Sequence, residues 1–377
     1  MAIDADKIAQ DAVNIIAEKI KNLKTLNIIV AGKTGVGKST LINAVFREKL
    51  AETGMGKPVT DHMRKLTKKG VPLAIYDTRG FELGKEVQQE VKKEVIDTIS
   101  KGLATQDINK AIHCIWYCIN TASNRVEPEE IEWLKELSKE NQITQVPIII
   151  VLTQSFSKKN AEALRKTLLE ENLDVIQIIP VLAEDYPIDD EYIAKAYGLD
   201  VLIHVMGQAL PDELVDTLQN LQIASLTEKK RYAQAAIATA TVAAAGEGAA
   251  PIPFSDCALL IPTQLTMIAS ITVIFGFDVN KSILTAFLSS TLGAGGATLL
   301  GKTVVSNLIK LIPGAGTIAG GAISSATAGV LTAALGEAYI GIMELVFKGE
   351  MSIDDLGTDK GKKEMTKLFK EELKKKK

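Results

Sequence analysis

The sequence predicts an α/β domain, a mainly parallel sheet with helices on both faces, followed by an apolar all-α domain. Two observations carry this reading. From Leu26 onward, short apolar runs of strand length alternate with stretches of helical periodicity, as in a parallel sheet covered by crossover helices. After Arg231 the composition changes: half of the chain's 28 glycines fall between Gly246 and Gly341, among Ala, Ile and Leu with few charges. With 377 residues and 46% apolar content the chain can bury two cores rather than one. Its net charge of −3 argues against a protein that coats nucleic acid, which needs a broad cationic face.

Residues 1–24 open the chain as an amphipathic helix, because Ile8, Ala12, Ile15, Ile16, Ile20 and Leu23 repeat at helical spacing. It is expected to dock as an extension on the α/β domain after it. The start "MAIDADKIAQ" has acidic residues and no apolar run, so a reducing, cytosolic setting is expected. Residues 25–215 form the α/β domain. Its strands are "LNIIVA", "VPLAIYD", "AIHCIWYCI", "VPIIIVL" and "VIQIIPVLA", with "HMRKLT" and "VPLAIYD" joined as one antiparallel hairpin. Val87, Val91, Val95 and Ile99 mark one helix, Ile131, Leu134 and Leu137 another, and a helix over 199–209 ends the sheet before Pro211. Cys114 and Cys118 fall on one face of a strand and pack as small hydrophobes, and with Cys257 they form no disulfide framework or zinc spacing.

Residues 216–350 form the Gly/Ala-rich helical domain. It holds three uncharged windows, Cys257 to Phe277, Ser282 to Gly301 and Leu311 to Gly336. Each is long enough to cross the ~30 Å hydrocarbon core as a helix. Pro262, Gln264 and the glycine clusters fit a soluble or surface-bound bundle equally well, so both placements stay open. Residues 351–377 are a basic amphipathic tail with Met365, Leu368, Phe369 and Leu373 on one side. Such helices adhere to anionic membranes, at about 1 kcal/mol per nearby lysine; a solvated tail is the plainer reading.

"GKTGVGKS", Gly32 to Ser39, fits the phosphate-loop pattern G-x-x-x-x-G-K-S with a strand before it and the helical "TLINAVF" after it. In such a loop Gly32, Lys33, Thr34, Gly35, Val36, Gly37 and Thr40 offer backbone N–H groups to phosphate oxygens at a helix N-terminus. Lys38 reaches the β- and γ-phosphates and Ser39 ligates magnesium. "PLAIYDTRG" ends a strand at Asp77 with Gly80 three residues on. Asp77 is expected to hold Mg2+ through water and the Gly80 amide to sense the third phosphate. Between these elements, "GKPVTDHM" supplies Thr60, whose hydroxyl completes the metal shell only with a triphosphate, so the loop works as a switch.

These stretches resemble the Era/septin-like (TRAFAC) branch of P-loop GTPases over about residues 25 to 210. "PIPFSDCALLIPTQLTMIASITVIFGFD" and "LIKLIPGAGTIAGGA" resemble the C-terminal DUF697 domain of bacterial GTPases, over about 230 to 345. In outline the chain is also similar to immunity-related GTPases, in which helices from both termini pack beside the G domain. The resemblance implies GTP/GDP as ligand, Mg2+ as cofactor and slow hydrolysis of GTP.

Where guanine readers carry Asn-Lys-x-Asp, this chain has Thr153, Gln154, Ser155 and Phe156. Phe156 cannot accept the two donors on the guanine edge, a loss of roughly 1–3 kcal/mol of discrimination. In the resembling families the next recognition loop is Ser-Ala-Lys; "PVLAEDY" gives Leu182, Ala183 and Glu184. The Ala183 amide is expected to meet the guanine carbonyl, Glu184 or else Asp185 to replace the missing carboxylate, and the Gln154 stem to lie against the base. Read plainly, Glu184 is a surface loop residue, and ATP use stays open.

Phe81 stands where Ras-like enzymes place the water-orienting glutamine, so turnover of the isolated protein is expected to be slow. Gly35, where potassium-dependent relatives carry Asn, disfavours potassium. An arginine supplied across a homodimer through the nucleotide face contributes roughly 10³–10⁵ in rate in related systems. Arg64, Arg79 and Arg125 lie near nucleotide loops, and Glu82 is a further candidate for positioning water. His62 is read as a solvated loop histidine, and His113 and His204 as structural. A GTPase that moves an apolar helical domain at or near the inner membrane is expected; the alternative is a membrane-embedded channel or scaffold gated by a domain that binds but barely turns over. No nucleic acid partner is expected.

Overall fold

The computed structural model describes residues 5–48, 55–78, 84–123, 125–247, 252–253, 260–279, 283, 322–323 and 325–376. Packing divides the chain into two units, Leu23–Glu228 and Met1–Asn22 with Lys229–Lys377.

The first unit is built on β1 (Leu26–Ala31), β2 (Met55–Pro58), β3 (Met63–Thr67), β4 (Leu73–Thr78), β5 (Cys114–Asn120), β6 (Ile148–Thr153) and β7 (Gln177–Pro180). They form one sheet in the order β2-β3-β4-β1-β5-β6-β7. β4, β1, β5, β6 and β7 run parallel, and β2, β3 and β4 pair antiparallel. The expected hairpin is there, extended by β2, which the sequence reading did not anticipate.

The parallel strands are apolar on both faces because both faces are covered. Ile28, Val30, Cys114, Trp116 and Cys118 join one core with α2 (Lys38–Val45), α6 (Leu199–Ala209) and α7 (Asp212–Leu221). Ile29, Ala31, Ile115, Tyr117 and Ile119 join the other core with α3 (Gly84–Ala104), α4 (Pro128–Asn141) and α5 (Lys158–Glu170). Both cysteines are buried and unbridged, and burial pushes each thiol up to about 12. α5 starts where the Ser157 hydroxyl accepts from Asn160 N. A short hairpin, β8 (Tyr186–Pro187) and β9 (Ile193–Ala194), follows β7.

The second unit comprises α1 (Ala5–Asn22), α9 (Ile261–Phe275), α10 (Ser325–Phe347) and α11 (Asp359–Lys375), with most of α8 (Leu226–Glu247) and a two-residue pair of β10 (Ile252–Pro253) and β11 (Ala322–Ile323). Ile8, Ala9, Ala12 and Ile16 are buried, and α1 packs on α9, so the opening helix belongs with the C-terminal helices instead of extending the sheet unit. A Cβ at Gly336 of α10 would lie 2.5 Å from Ile237 of α8 and 2.8 Å from Met267 of α9, so this glycine sets how closely the three helices meet. The Tyr339 and Thr272 hydroxyls pair at 2.8 Å inside. The fully buried Lys229 ammonium donates to the Ile274 and Phe275 carbonyls at the end of α9, where cations are favoured.

Met365, Phe369 and Leu373 of the tail helix are buried, and α11 lies along α10, with Leu368 against Gly341. The apolar side expected to face a membrane is thus occupied by protein, and the lysines point outward. Of the three uncharged windows, the middle one lies outside the described residues except for Ile283, and the outer two are described in part. Ala328–Phe347, with mean hydropathy 1.6, is long and apolar enough to cross a membrane, and 56% of its most apolar window is buried inside the protein.

Candidate functional site

The turn from β1 into α2 carries the phosphate loop. Gly32 has φ +138°, and a Cβ there would lie 2.4 Å from the Cys118 carbonyl oxygen of β5, so only glycine lets the loop pass over that strand. Gly37 caps α2 with φ +92°. Thr34, Gly35, Ser39 and Thr40 are exposed around the loop, while Val36 is buried beneath it. The Lys38 ammonium arches back over the turn and donates to the carbonyls of Gly32 at 2.8 Å and Lys33 at 3.0 Å. Lys33 is tied outward by Glu127 at 2.9 Å and Glu130 at 3.1 Å. Burial opposes the charge of Lys33, but these two carboxylates outweigh it and raise the ammonium pKa. Glu130 in turn accepts from the Tyr117 hydroxyl.

Asp77, at the end of β4, is buried enough that desolvation raises its carboxyl pKa against the opposing pull of Lys38 and Arg64. Its Oδ1 is buried with no hydrogen-bond partner among the described residues. A carboxylate oxygen in that state, beside a lysine-capped loop of exposed amides, fits a site for a hydrated divalent cation and the phosphates it accompanies. Arg64 stands opposite Asp77 in the β3–β4 register. Arg79, Gly80, Phe81 and Glu82 lie outside the described residues.

Thr60 sits at the tip of the β2–β3 hairpin, where Val59 N and Thr60 N both donate to the Met63 carbonyl. Its hydroxyl donates to Glu94 of α3. His62, expected to be solvated, lies 3.2 Å from Glu90. His113 is structural as expected: its Nδ1 accepts from Asn27 N, and its other ring nitrogen is 2.8 Å from the Ile108 carbonyl. His204 pairs with Glu228 at 3.0 Å.

At the end of β6, Thr153 and Gln154 brace the phosphate loop, a role the sequence reading did not assign to them. The Thr153 hydroxyl is within bonding distance of the Val36 and Ile119 carbonyls, and Gln154 Nε2 donates to the Gly35 carbonyl at 3.1 Å. Gln154 takes φ +52°, a left-handed conformation that aims its side chain at the loop. The Phe156 ring packs 4.4 Å from that of Tyr186. Ala183 is half-buried against the core and Glu184 is exposed. Asp185 is already engaged, by Lys195 at 2.7 Å and Ala196 N at 2.8 Å, and these contacts hold its carboxyl below the usual range.

The structure thus brings Gly32 to Thr40, Asp77, Thr153 and Gln154 around one loop. What the sequence did not reveal are the partners, Glu94 for Thr60 and Glu127 and Glu130 for Lys33, which depend on segments far apart in the chain meeting in the fold.

Residues 27–154 match the family described as "50S ribosome-binding GTPase", and residues 213–376 match "Domain of unknown function (DUF697)", together well over half of the chain. Septin-12 of Homo sapiens is 26% identical over 204 residues, covering 46% of this chain and 55% of that protein. Septin-9 of Rattus norvegicus is 32% identical over 148 residues, covering 33% and 26%. The chain therefore spans about half or less of the length of these relatives. Among solved structures, Cdc11 from Saccharomyces cerevisiae has 19% identity and a TM-score of 0.28 over 44% of this chain and 68% of that one. Toc33 from Arabidopsis thaliana, in complex with Mg2+ and GMPPNP, has 18% identity and a TM-score of 0.31 over 56% and 92%. Scores this low add no weight to the family match. The chain thus carries a GTP-binding P-loop GTPase domain over residues 27–154, similar to that of septins, followed by a DUF697 domain over residues 213–376.

Proposed function

We propose that the G domain binds GTP with magnesium, hydrolyses it slowly, and through its nucleotide state changes the position or assembly of the helical domain at an anionic membrane surface. One observation carries the binding step: the Lys38 ammonium rests on the Gly32 and Lys33 carbonyls beside a buried Asp77 oxygen that has no hydrogen-bond partner among the described residues. In this reading the backbone of Gly32 to Thr40 and Lys38 hold the phosphates, while Ser39, Thr60 and Asp77 hold the metal. Magnesium, when bound, neutralises charge on the phosphate oxygens. Gly80 senses the third phosphate. Arg79, Arg64 or Arg125 of a second copy supplies stimulating charge. Thr153 and Gln154 keep the loop in shape, the Ala183 amide meets the base, and Glu184 accepts from it.

Titrating labelled GTP, GDP and ATP against the full chain, with Glu184→Ala beside it, tests binding and base choice together. GTP preference over ATP in the parent, falling about tenfold or more in the variant, is the expected result. An unchanged preference removes Glu184 from the base site, and equal affinity for GTP and ATP makes the protein a purine-tolerant binder.

A second reading, a membrane-embedded helical protein gated by a domain that binds but barely turns over, draws on the apolar Ala328–Phe347 stretch. Carbonate extraction distinguishes them: release into the supernatant supports surface attachment, and retention supports embedding.

A further inference from the structure

The tip of the β2–β3 hairpin touches α3 through three side chains in a row. The Thr60 hydroxyl donates to Glu94, His62 Nε2 lies 3.2 Å from Glu90, and the Thr98 hydroxyl, which donates to the Glu94 carbonyl at 2.7 Å, lies 3.8 Å from the Met63 sulfur. Glu90, Glu94 and Thr98 are spaced four apart, so they form one line along the helix. The tip is also closed on itself, by the bonds from Val59 N and Thr60 N to the Met63 carbonyl at 2.9 and 3.3 Å. Two carboxylates on a helix that the binding site does not otherwise use therefore hold the segment carrying the proposed metal-ligating threonine.

We infer that Glu94 is a positioning residue for nucleotide-state selection: it keeps Thr60 on α3, and only a magnesium-bound nucleoside triphosphate draws the hydroxyl away. The inference rests on the reading of Thr60 as the ligand that completes the metal shell when a third phosphate is present. A diphosphate makes no demand on Thr60, so it binds with the hairpin still anchored. A triphosphate must first break the Thr60–Glu94 bond, and the free energy of that bond is subtracted from its affinity. A ligand shifts such an equilibrium only by its differential interaction with the two states, so the anchor acts on the ratio of the two affinities rather than on both alike. His62 and Glu90 add little, because Glu90 is 64% exposed and water screens the pair.

The test measures binding of GMPPNP and of GDP, each with magnesium, to the full chain and to Glu94→Ala, Glu94→Gln, Thr60→Ala and the Thr60→Ala/Glu94→Ala double variant. Losing a hydrogen bond to a carboxylate is expected to tighten GMPPNP about tenfold or more in Glu94→Ala and leave GDP within about twofold. Glu94→Gln gains less, because its amide oxygen still accepts from Thr60, and it carries the test if the alanine variant fails to melt cooperatively. Thr60→Ala weakens GMPPNP, and in that background removing Glu94 changes neither affinity. Equal shifts for both nucleotides, a gain that survives in the double variant, or weaker GMPPNP binding in Glu94→Ala overturns the anchor. A parent chain that binds neither nucleotide overturns the GTPase reading itself, which separates the two failures.

Discussion

At the scale of single residues, three positions make the account testable. Lys38 is the cation that the fold directs onto the carbonyls of the phosphate loop. A charged hydrogen bond contributes about 1.5–3 kcal/mol, and Lys38 is proposed to make more than one to phosphate, so Lys38→Ala is expected to weaken nucleotide binding about 100-fold. Gly32 combines φ +138° with a 2.4 Å approach of its missing Cβ to the Cys118 carbonyl. Gly32→Ala is expected to lose about 1–3 kcal/mol or more in denaturant unfolding, because both the dihedral and the contact are strained. Asp77 behaves in the opposite sense. Burial raises its carboxyl pKa, so folding favours the neutral form, and the charge costs stability at every pH above that raised value. The cost fades as pH falls through the raised value toward the usual carboxylate range. Nucleotide-free Asp77→Asn is therefore expected to melt above the parent at neutral pH, with the difference closing in acid, while its magnesium-dependent nucleotide binding is weakened.

At the scale of elements, β6 supports the phosphate loop and α10 spaces the helical unit. Thr153→Val keeps the shape of the β6 terminus but removes the hydroxyl that reaches the Val36 carbonyl. Losing one such buried hydrogen bond costs about 0.5–1.5 kcal/mol, which a melting curve of the nucleotide-free protein reads directly. Gly336→Ala forces a methyl group into Ile237 and Met267, and overpacking of this kind costs about 1–3 kcal/mol. Elements also differ in how legible they are in the sequence. β1 and β4 to β7 stand out because a strand covered on both faces is a continuous apolar run, and the phosphate loop because its chemistry is local. α5 escapes the sequence reading because Ala161, Leu164 and Leu168 are its only buried residues amid charge, leaving the Ser157 cap as its clearest sign. β2 escapes it because "MGKP" has no strand-like pattern and is held by its pairing with β3. Thr153 and Gln154 are visible as an anomaly at the base site, but the sequence carries no hint that their side chains turn back onto the loop, because that depends on the β1–β5–β6 register.

At the scale of the whole molecule, the sheet unit and the helical unit are distinct bodies, proposed to be joined in function by nucleotide state. If a second copy supplies the stimulating arginine, phosphate released per mole of protein is expected to rise with concentration; a flat dependence assigns catalysis to a single chain. With the apolar side of α11 occupied by α10, attachment to anionic vesicles is expected to depend on its outward lysines and to weaken as salt rises. Cosedimentation that is insensitive to salt points instead to insertion of the apolar helices. The first expectation depends on the phosphate loop gripping a nucleotide. Isothermal titration of GTP with magnesium into the full chain, with Lys38→Ala alongside, tests that most directly. The account predicts saturable heat for the parent and a loss of about 100-fold in affinity for the variant. No heat with any purine triphosphate, or indistinguishable curves for the two proteins, contradicts it.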